Sequence, residues 1–408
     1  MIGEGAPTAD TPIAWPLRTA LILALVAPTL NMAVLPPALP MIADYLGGGV
    51  AGEITAQRAQ SLPFLGLVIG GLLAGGLIAR FGLRRCLILA ALCFAAAGLG
   101  GGSARSAAPL LVSCFVAGLA ASVLSCGLTT ATGAVMAGDA RIRTLGFQTA
   151  SSDFSAIGGG IVAAMLAQFY GWRAPFAIYV GFGLLSLLLV AGAKTPVVPR
   201  DDTSSGLVAV ARKAGPVYLA GGFIFLLMGT QPTLMPFHLA AHGLATPGAR
   251  AIVLVAAPAA AMLSSIAYAL IRGRIADRWM LVAATIASAL GFAGMALWTG
   301  GTVPIAAASV AVGIGAGLSF PMVIRAAFRN VQPALHGYSI GLLNTGVFSG
   351  VFLSPFLFGP LQRAAGAPAM FGLCALIWLV FGAITASRRD WTRAAAGDMV
   401  IAAPGAAG

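Results

Sequence analysis

Charged residues are scarce in this sequence of 408 residues. Asp, Glu, Lys and Arg make up only 8% of the chain, against about 25% in soluble domains, so a soluble fold is excluded. Walker, Rossmann and nucleophile motifs are absent, and no polar domain could house an active site, so neither an enzyme nor a cofactor is predicted. The five cysteines show no CxxC or Cys/His spacing, which predicts neither a metal site nor disulfides.

Polar tracts are also missing. The 54 glycines and 24 prolines interrupt long apolar runs, which excludes a disordered chain. The net charge is +12, but the basic residues lie in the breaks between apolar runs, so nucleic acid is not a predicted partner. The mean hydropathy of +0.96 extends over the whole length. The sequence therefore predicts an all-α membrane protein with the lipid bilayer as its surroundings.

Membrane-spanning helices can be counted by dividing the chain at charged or Gly/Pro-rich breaks, because each needs about 20 apolar residues. Twelve spans result: 17–44, 59–79, 86–104, 109–136, 144–168, 173–193, 215–240, 250–271, 279–299, 303–327, 337–361 and 367–387. The longest break carries prolines and charges. We therefore predict a six-helix bundle over 1–193, a linker over 194–213, and a second bundle with a short tail over 214–408.

The Lys and Arg residues fall mainly on one side of these spans. With a cytoplasmic N-terminus, five of the 23 Lys and Arg residues face outward and the rest face the cytoplasm. Such a bias sets orientation in membranes. Both termini are therefore predicted to be cytoplasmic, with residues 80–85, 194–213 and 388–393 on that side and residues 50–57 and 243–248 outside.

The two halves of the sequence are similar at a fixed offset. Residues 146, 171 and 176 have identical counterparts 195 positions later. Repeats of six spans are the architecture of many transporters, with the substrate site at the repeat interface near the midplane. The counterparts are Gly146 and Gly341, Gly171 and Gly366, and Phe176 and Phe371.

Two cytoplasmic loops resemble a known signature. The break after span 2 reads Gly75-Gly-Leu-Ile-Ala-Arg80-Phe-Gly82-Leu-Arg84-Arg85, and the break after span 8 reads Gly273-Arg-Ile-Ala-Asp277-Arg278. Both resemble the G-x-L-x-D-R-x-G-R-R loops of the major facilitator superfamily. The Gly171-to-Phe176 junction and the Gly313-to-Gly317 run are also similar to that superfamily, especially to its bacterial drug and metabolite exporters. The resemblance implies the major facilitator fold, with both loops acting in gating.

The sequence also departs from the family pattern. Ala79 replaces the acid of the first loop, Cys114 stands where many proton-coupled exporters have a helix-4 arginine, and Gly158-Gly-Gly160 lacks the proline of an antiporter signature. The second loop retains its acid. We predict that Asp277 accepts hydrogen bonds at the N-terminus of helix 5 and pairs with Arg141, Arg143 or Arg278 in the outward-open state.

Asp153 is the one acid deep within a predicted span. It lies nine residues past Thr144, about 14 Å into a hydrocarbon core of about 30 Å. A carboxylate at that depth usually faces a cavity or a partner, and desolvation favours its neutral form. Asp153 is therefore the candidate for proton coupling or substrate binding, and the alternative is a structural acid held by hydrogen bonds between helices.

Four further polar side chains are candidates for lining the cavity: Asn31, Thr149, Gln231 and Asn344. Asn344 is the repeat counterpart of Thr149, so the two should face the interface from opposite halves. The alternative is that the amides hydrogen-bond between helices. Prolines at 28, 36, 37 and 40 in helix 1, and at 232 and 236 in helix 7, should kink these two related helices.

The predicted function is secondary active transport of a small organic molecule by alternating access, as a proton-coupled exporter. The expected setting is a monomer in the plasma membrane, which is the bacterial inner membrane, with protons as the coupling ion. The alternative is an importer or uniporter of an organic anion or metabolite. In that case Arg325 or a histidine would meet the substrate.

Overall fold

The computed structural model describes residues 14–136, 138–193, 196, 203–271, 274–329, 331 and 336–387. Ten stretches are helices long and apolar enough to cross a membrane. One of them, Gly341–Ser387, contains two helices, and the shorter apolar helix Phe176–Ala191 completes the set of twelve. The predicted all-helical fold is confirmed.

The first half of the chain contains helices α1 to α6. Helix α1 is broken into Trp15–Ile22, Val26–Ala33, a 3-10 turn Pro36–Ala38 and Leu39–Tyr45. The others are α2 (Gly49–Phe81), α3 (Leu83–Ser103), α4 (Ala107–Val135), α5 (Gly138–Tyr170) and α6 (Phe176–Ala191).

The second half repeats this order with α7 to α12. Helix α7 is broken into Thr203–Met228, Thr230–Thr233 and Met235–Ala241. It is followed by α8 (Pro247–Ile271), α9 (Asp277–Ala296) and α10 (Thr302–Arg329). One assigned helix, His336–Ser387, contains α11 and α12, which are separated by a kink at Gly366.

Helices α1 and α7 are interrupted at their prolines, as predicted. Pro36 and Pro37 follow directly on a break in α1, and Pro236 follows the break at Leu234 in α7. Proline has no N–H and its ring displaces the preceding turn, so a continuous helical ladder cannot pass through these positions. The kinks lie in the two helices that correspond in the repeat.

Three helices begin well before their predicted spans. Helix α2 begins at Gly49 rather than at 59, α5 at Gly138 rather than at 144, and α7 at Thr203 rather than at 215, inside the predicted linker 194–213. The extensions are more polar than the spans, and Glu53 and Arg58 lie in the extension of α2. A hydropathy criterion finds the lipid-facing length of a helix and omits polar turns that continue past the membrane.

The repeat is visible in the backbone. Gly171 and Gly366, which are 195 positions apart, both have a positive φ, at 85° and 84°. Gly171 joins α5 to α6, and Gly366 joins α11 to α12. Only glycine takes this conformation without strain. The counterparts Phe176 and Phe371 are both buried in the core of their own half, at 1% and 0% exposure.

Close helix contacts also recur in both halves. A Cβ added at Gly118 in α4 would collide with the backbone of Pro63 in α2, and a Cβ at Gly313 in α10 would collide with the backbone of Ala257 in α8. Gly118 and Gly313 are again 195 positions apart. Small residues allow membrane helices to approach this closely, and the contact replaces a hydrophobic driving force that lipid does not supply.

The halves meet along α5 and α8, α2 and α11, and α1 and α7. We call the end of the molecule formed by residues 45–49, 171–175 and 242–247 the closed face. The opposite end, with the α2–α3 and α8–α9 junctions, is called the open face.

Candidate functional site

Polar contacts join the two halves near the closed face. The Arg250 guanidinium of α8 donates from Nε and Nη2 to the Pro37 carbonyl of α1, at 3.1 and 2.9 Å. The Gln168 side chain of α5 accepts from the backbone N–H of Gly248 at 3.1 Å. These bonds hold α1 and α5 of one half against the start of α8.

A third polar contact joins α2 to α11. Arg363 donates to Gln57 Oε1 at a long 3.5 Å, and deeper in the molecule the rings of Phe64 and Phe348 lie 6.4 Å apart. Within the described part of the chain, every hydrogen bond between halves lies in this region. The halves are therefore held together from the closed face inward.

Asp153 lies on the α5 surface that faces the other half. A Cβ at Gly160, seven residues later, would lie 3.2 Å from Val255 of α8. Seven residues make about two helical turns, so positions 153 and 160 share a face, with Asp153 about 10 Å nearer the open face. The Asp153 side chain is half-buried, and no hydrogen bond or ion pair of its carboxylate occurs among the contacts of the described residues.

The neighbouring face of α5 is bound to α1 by hydroxyl and amide groups. Thr29 and Ser152 share a hydrogen bond of 2.6 Å, Ser151 donates to the Ile22 carbonyl at 2.7 Å, and Gln148 donates to the Leu21 carbonyl at 2.9 Å. Two of these acceptors lie at the first break of α1, where residues 23–25 leave the helix. These hydroxyl and amide groups beside Asp153 therefore anchor α1 and fix the rotation of α5.

Two of the predicted cavity residues face the space between the halves. Thr149 is exposed one turn from Asp153 on the same side of α5. Asn344 lies one turn from Phe348, on the α11 surface that meets α2. No contact joins the two side chains in the described part of the chain, so they lie on separate walls of this space.

The other two candidates are directed elsewhere. Asn31 is fully buried, donates to the Ala27 carbonyl of its own helix at 3.2 Å and has its backbone carbonyl bound by Gln60 of α2 at 3.2 Å. Gln231 lies at the α7 break and approaches the sulfur of Met295 in α9 at 4.0 Å. Both side chains contact helices of their own half.

The first gating loop is held within its own half. Gly82 joins α2 to α3 with φ of 82°, and Arg84 donates to the Ala191 carbonyl at the end of α6 at 2.9 Å. Arg80 stacks on Phe81 at 5.4 Å. Arg84 thus ties the start of α3 to the end of α6, while Arg80 stays against its own helix α2.

The second gating loop contains an ion pair that the sequence analysis did not find. Asp277 begins α9 and pairs with Arg325 of α10 at 3.2 Å, and Arg325 also donates to the Tyr268 hydroxyl of α8 at 3.0 Å. Arg278 stacks on the Trp279 ring at 4.9 Å, while Gly273 lies outside the described residues. The loop acid therefore connects three helices of the second half.

This partner differs from those predicted for Asp277. Arg141 and Arg143 belong to the first half, and hydrogen bonds between the halves lie near the closed face. Arg325 is closer because it extends from the neighbouring helix of the same half. The pairing predicted for the outward-open state concerns another conformation and stays a prediction.

Arg250 was also missed as a functional residue. Its place in the sequence indicated only that it is one of the five basic residues on the outer side. Its side chain is 1% exposed, and its hydrogen bonds all go to backbone carbonyls, which leave no pattern in the sequence. The only available signal was an arginine at the start of a helix whose neighbour, α1, contains three closely spaced prolines.

Comparisons with known proteins agree with this architecture. The family model described as Major Facilitator Superfamily matches residues 21–355. The cephamycin export protein CmcT of Amycolatopsis lactamdurans is 30% identical over 177 residues, which are 42% of this chain and 36% of that protein. The match thus covers about a third of the length of this curated relative.

Solved structures show the same fold at low sequence identity. A D-xylose-proton symporter superposes with a TM-score of 0.73 at 14% identity, covering 90% of this chain and 97% of that one. A POT peptide transporter solved with alafosfalin also gives 0.73 at 14% identity, covering 93% of this chain and 94% of that one. With the family model matched over most of the length and the two six-helix halves in place, the chain belongs to the Major Facilitator Superfamily of membrane transporters.

Proposed function

We propose that this transporter exports a small organic molecule in exchange for protons, by alternating access of a central site to the two sides of the membrane. The observation that carries the proposal is the position of Asp153. It is the only acid in the interior of a predicted span, it lies on the face of α5 directed at the other half, and no cation partner of it occurs among the described residues.

Such a carboxyl group suits proton coupling for a physical reason. A carboxylate paired with a buried cation would stay charged, whereas an unpaired one in a partly apolar cavity can gain and lose a proton as its exposure changes. Asp153 would be protonated when the cavity opens to the acidic side and would release the proton on the other side. Cys114, which stands where many proton-coupled exporters have a helix-4 arginine, and the amide Asn31 cannot do this near neutral pH.

Export is supported by the cephamycin export relative, although the matched region is only part of that protein. We propose both termini on the cytoplasmic side of a bacterial inner membrane, because most of the Lys and Arg residues lie at that side. The closed face is then external and the open face cytoplasmic. The two bundles, 1–193 and 214–408, move against each other about the 194–213 linker, and the chain works as a monomer.

A second candidate is uptake, for which the D-xylose-proton symporter with the same fold is a precedent. Uptake of an organic anion would need a free cation in the cavity. Arg325 is bound to Asp277 and Tyr268 in this conformation, which favours export over that alternative. Uptake of a neutral metabolite with protons differs from export only in the direction of net flux.

The test uses purified protein in liposomes with an imposed pH gradient. Substrates are found by screening cationic, neutral and anionic metabolites, with a cephamycin among the anions. Asp153→Asn should abolish accumulation against a gradient, while downhill exchange of a neutral substrate continues, because the amide resembles the protonated acid. The direction of proton-driven flux in oriented vesicles distinguishes export from uptake.

Asp139→Asn is the matched control. Asp139 is an exposed acid in the first turn of the same helix, so its loss changes the charge of α5 without touching the space between the halves. It should leave uphill transport intact. If Asp153→Asn still concentrated substrate, Asp153 would be a structural residue, and coupling would have to lie with another group such as His238 or His242.

A further inference from the structure

Arg250 carries a positive charge into the interior of the protein, where no carboxylate of the described residues forms an ion pair with it, and Asp44 of α1 attracts it from beyond ion-pair distance. The Arg250 side chain is 1% exposed. The guanidinium donates four hydrogen bonds to three backbone carbonyls: two to Pro37, one to Leu244 at 3.1 Å and one to Ala245 at 2.7 Å. A buried charge is costly unless its hydrogen bonds are satisfied, so the carbonyls must be correctly placed for this position to be occupied.

The four bonds divide between the two halves. The carbonyls of Leu244 and Ala245 precede α8 in its own half, so they can move with Arg250. The carbonyl of Pro37 belongs to α1 of the other half, and Nε and Nη2 both bind it. Of its four hydrogen bonds, only this pair depends on the halves being together, and the attraction to Asp44 of α1 depends on it as well.

The break in α1 explains why the Pro37 carbonyl is available. Residues 36–38 form a 3-10 turn, in which a carbonyl normally accepts from the N–H three residues later. That residue is Pro40, which has no N–H. The closely spaced prolines of α1 therefore present an acceptor toward α8, and an arginine can bind it through two N–H groups at once.

We infer that Arg250 is a positioning residue that latches the closed face through the Pro37 carbonyl. When this face opens, the two bonds break and the guanidinium is hydrated. When it closes, they form again and α1 returns to the same place against α8. The inference rests on the proposed alternating-access cycle but not on its direction or its coupling ion.

Arg363 provides a matched comparison on the same face. It also reaches across the halves, to Gln57 at a long 3.5 Å and by electrostatic attraction to Glu53 of the same helix, but its side chain is exposed. Exposed charged contacts of this kind contribute little. Loss of Arg363 and loss of Arg250 each remove one positive charge from the same side of the membrane. Only the loss of Arg250 also removes the buried bonds to Pro37.

The experiment measures spin-label distances across each face in a background without the five native cysteines. Labels at Val50 and Ala365 report the closed face, and labels at Ala134 and Leu270 report the open face; all four positions are exposed. Arg250→Met should increase the population ratio of open to closed at the first pair by about tenfold or more. Arg250→Lys, which retains the charge but cannot bind the carbonyl twice, should increase it by about threefold.

Arg363→Met should change the Val50–Ala365 distribution by less than about twofold. If Arg250→Met does not fold, as judged by gel filtration, Arg250→Lys is used to test the latch. An unchanged distribution in a folded Arg250 variant, or an equal shift in Arg363→Met, would refute the latch. Transport by the Asp153 variants is measured separately and would stand in either case.

Discussion

The two halves of the transporter are alike in packing and unlike in charge. Helix contacts at Gly118 and Gly313, the positive φ of Gly171 and Gly366, and the breaks of α1 and α7 all recur. These are backbone features, which set how closely helices approach and where the chain turns. The repeat is therefore maintained at positions where almost any side chain would prevent packing.

Charged positions do not follow the repeat. At the offset of 195, Asp153 corresponds to Phe348 and Arg325 to Thr130. The first gating loop has Ala79 where the second has Asp277, and the first is held by Arg84 on a carbonyl while the second is held by an ion pair. The symmetric backbone thus supplies a framework, and the asymmetric charges distinguish the roles of the halves.

The largest effect is expected from breaking the shared packing. Gly118→Leu and Gly313→Leu should each destabilise the protein by about 3 kcal/mol or prevent folding, because the new side chain meets the backbone of a neighbouring helix and neither can move aside. Thermal unfolding of purified protein measures this. Gly76→Leu is the control, since a Cβ at Gly76 has no neighbour within 4 Å. Equal tolerance of Gly313→Leu and Gly76→Leu would show that the halves differ in packing too.

A moderate effect is expected from removing the acid of the second gating loop. Asp277→Asn should shift the population two- to fivefold toward the state with the open face open, since an exposed ion pair contributes at most about 1 kcal/mol. The loss of stabilisation is greater in the state in which the open face is closed, because we predict that Asp277 also meets the N-terminus of α5 there. The Ala134 and Leu270 labels measure it, with Asp277→Glu, which keeps the charge, as control. A shift of the opposite sign would contradict the predicted pairing.

The smallest effect is expected from adding the missing acid to the first loop. Ala79→Asp should move the population by less than about threefold toward closure of the open face, because the new carboxylate is solvated in both states. The same label pair detects it, and Ala79→Asn separates charge from size. If the acid and the amide give the same shift, charge in this loop does not set the conformation.

Much of the fold could be predicted from the sequence, because the membrane imposes strong constraints. Apolar length gave twelve helices, and the repeated glycines and prolines indicated the halves and the broken helices. Boundaries were less accurate where a helix continues into water: α2 begins at Gly49 and α5 at Gly138. Such polar turns are stabilised by helix contacts that local hydropathy does not contain.

The site was predicted less completely, for a related reason. Asp153 and Thr149 were found because a polar residue deep in an apolar run is conspicuous. Asn31 and Gln231 are also polar residues within apolar runs, but their side chains contact their own half. The direction in which a helix turns its side chains depends on the neighbouring helices and cannot be determined from its sequence alone. The contacts of Arg250 with Pro37 and of Arg325 with Asp277 join residues far apart in sequence. All three acceptors of Arg250 are backbone carbonyls, which have no signature in composition.

The shared face of Asp153 and Gly160 has a consequence for inhibition. One stripe of α5 lines the cavity at one level and seals against Val255 at the next. A bulky inhibitor that enters from the open face and binds beside Asp153 would prevent the halves from closing at that face. The contact between Gly160 and Val255 would meanwhile keep the closed face closed. Such a compound can leave only by the route it entered, so it would inhibit from one side of the membrane and be inert when applied to the other.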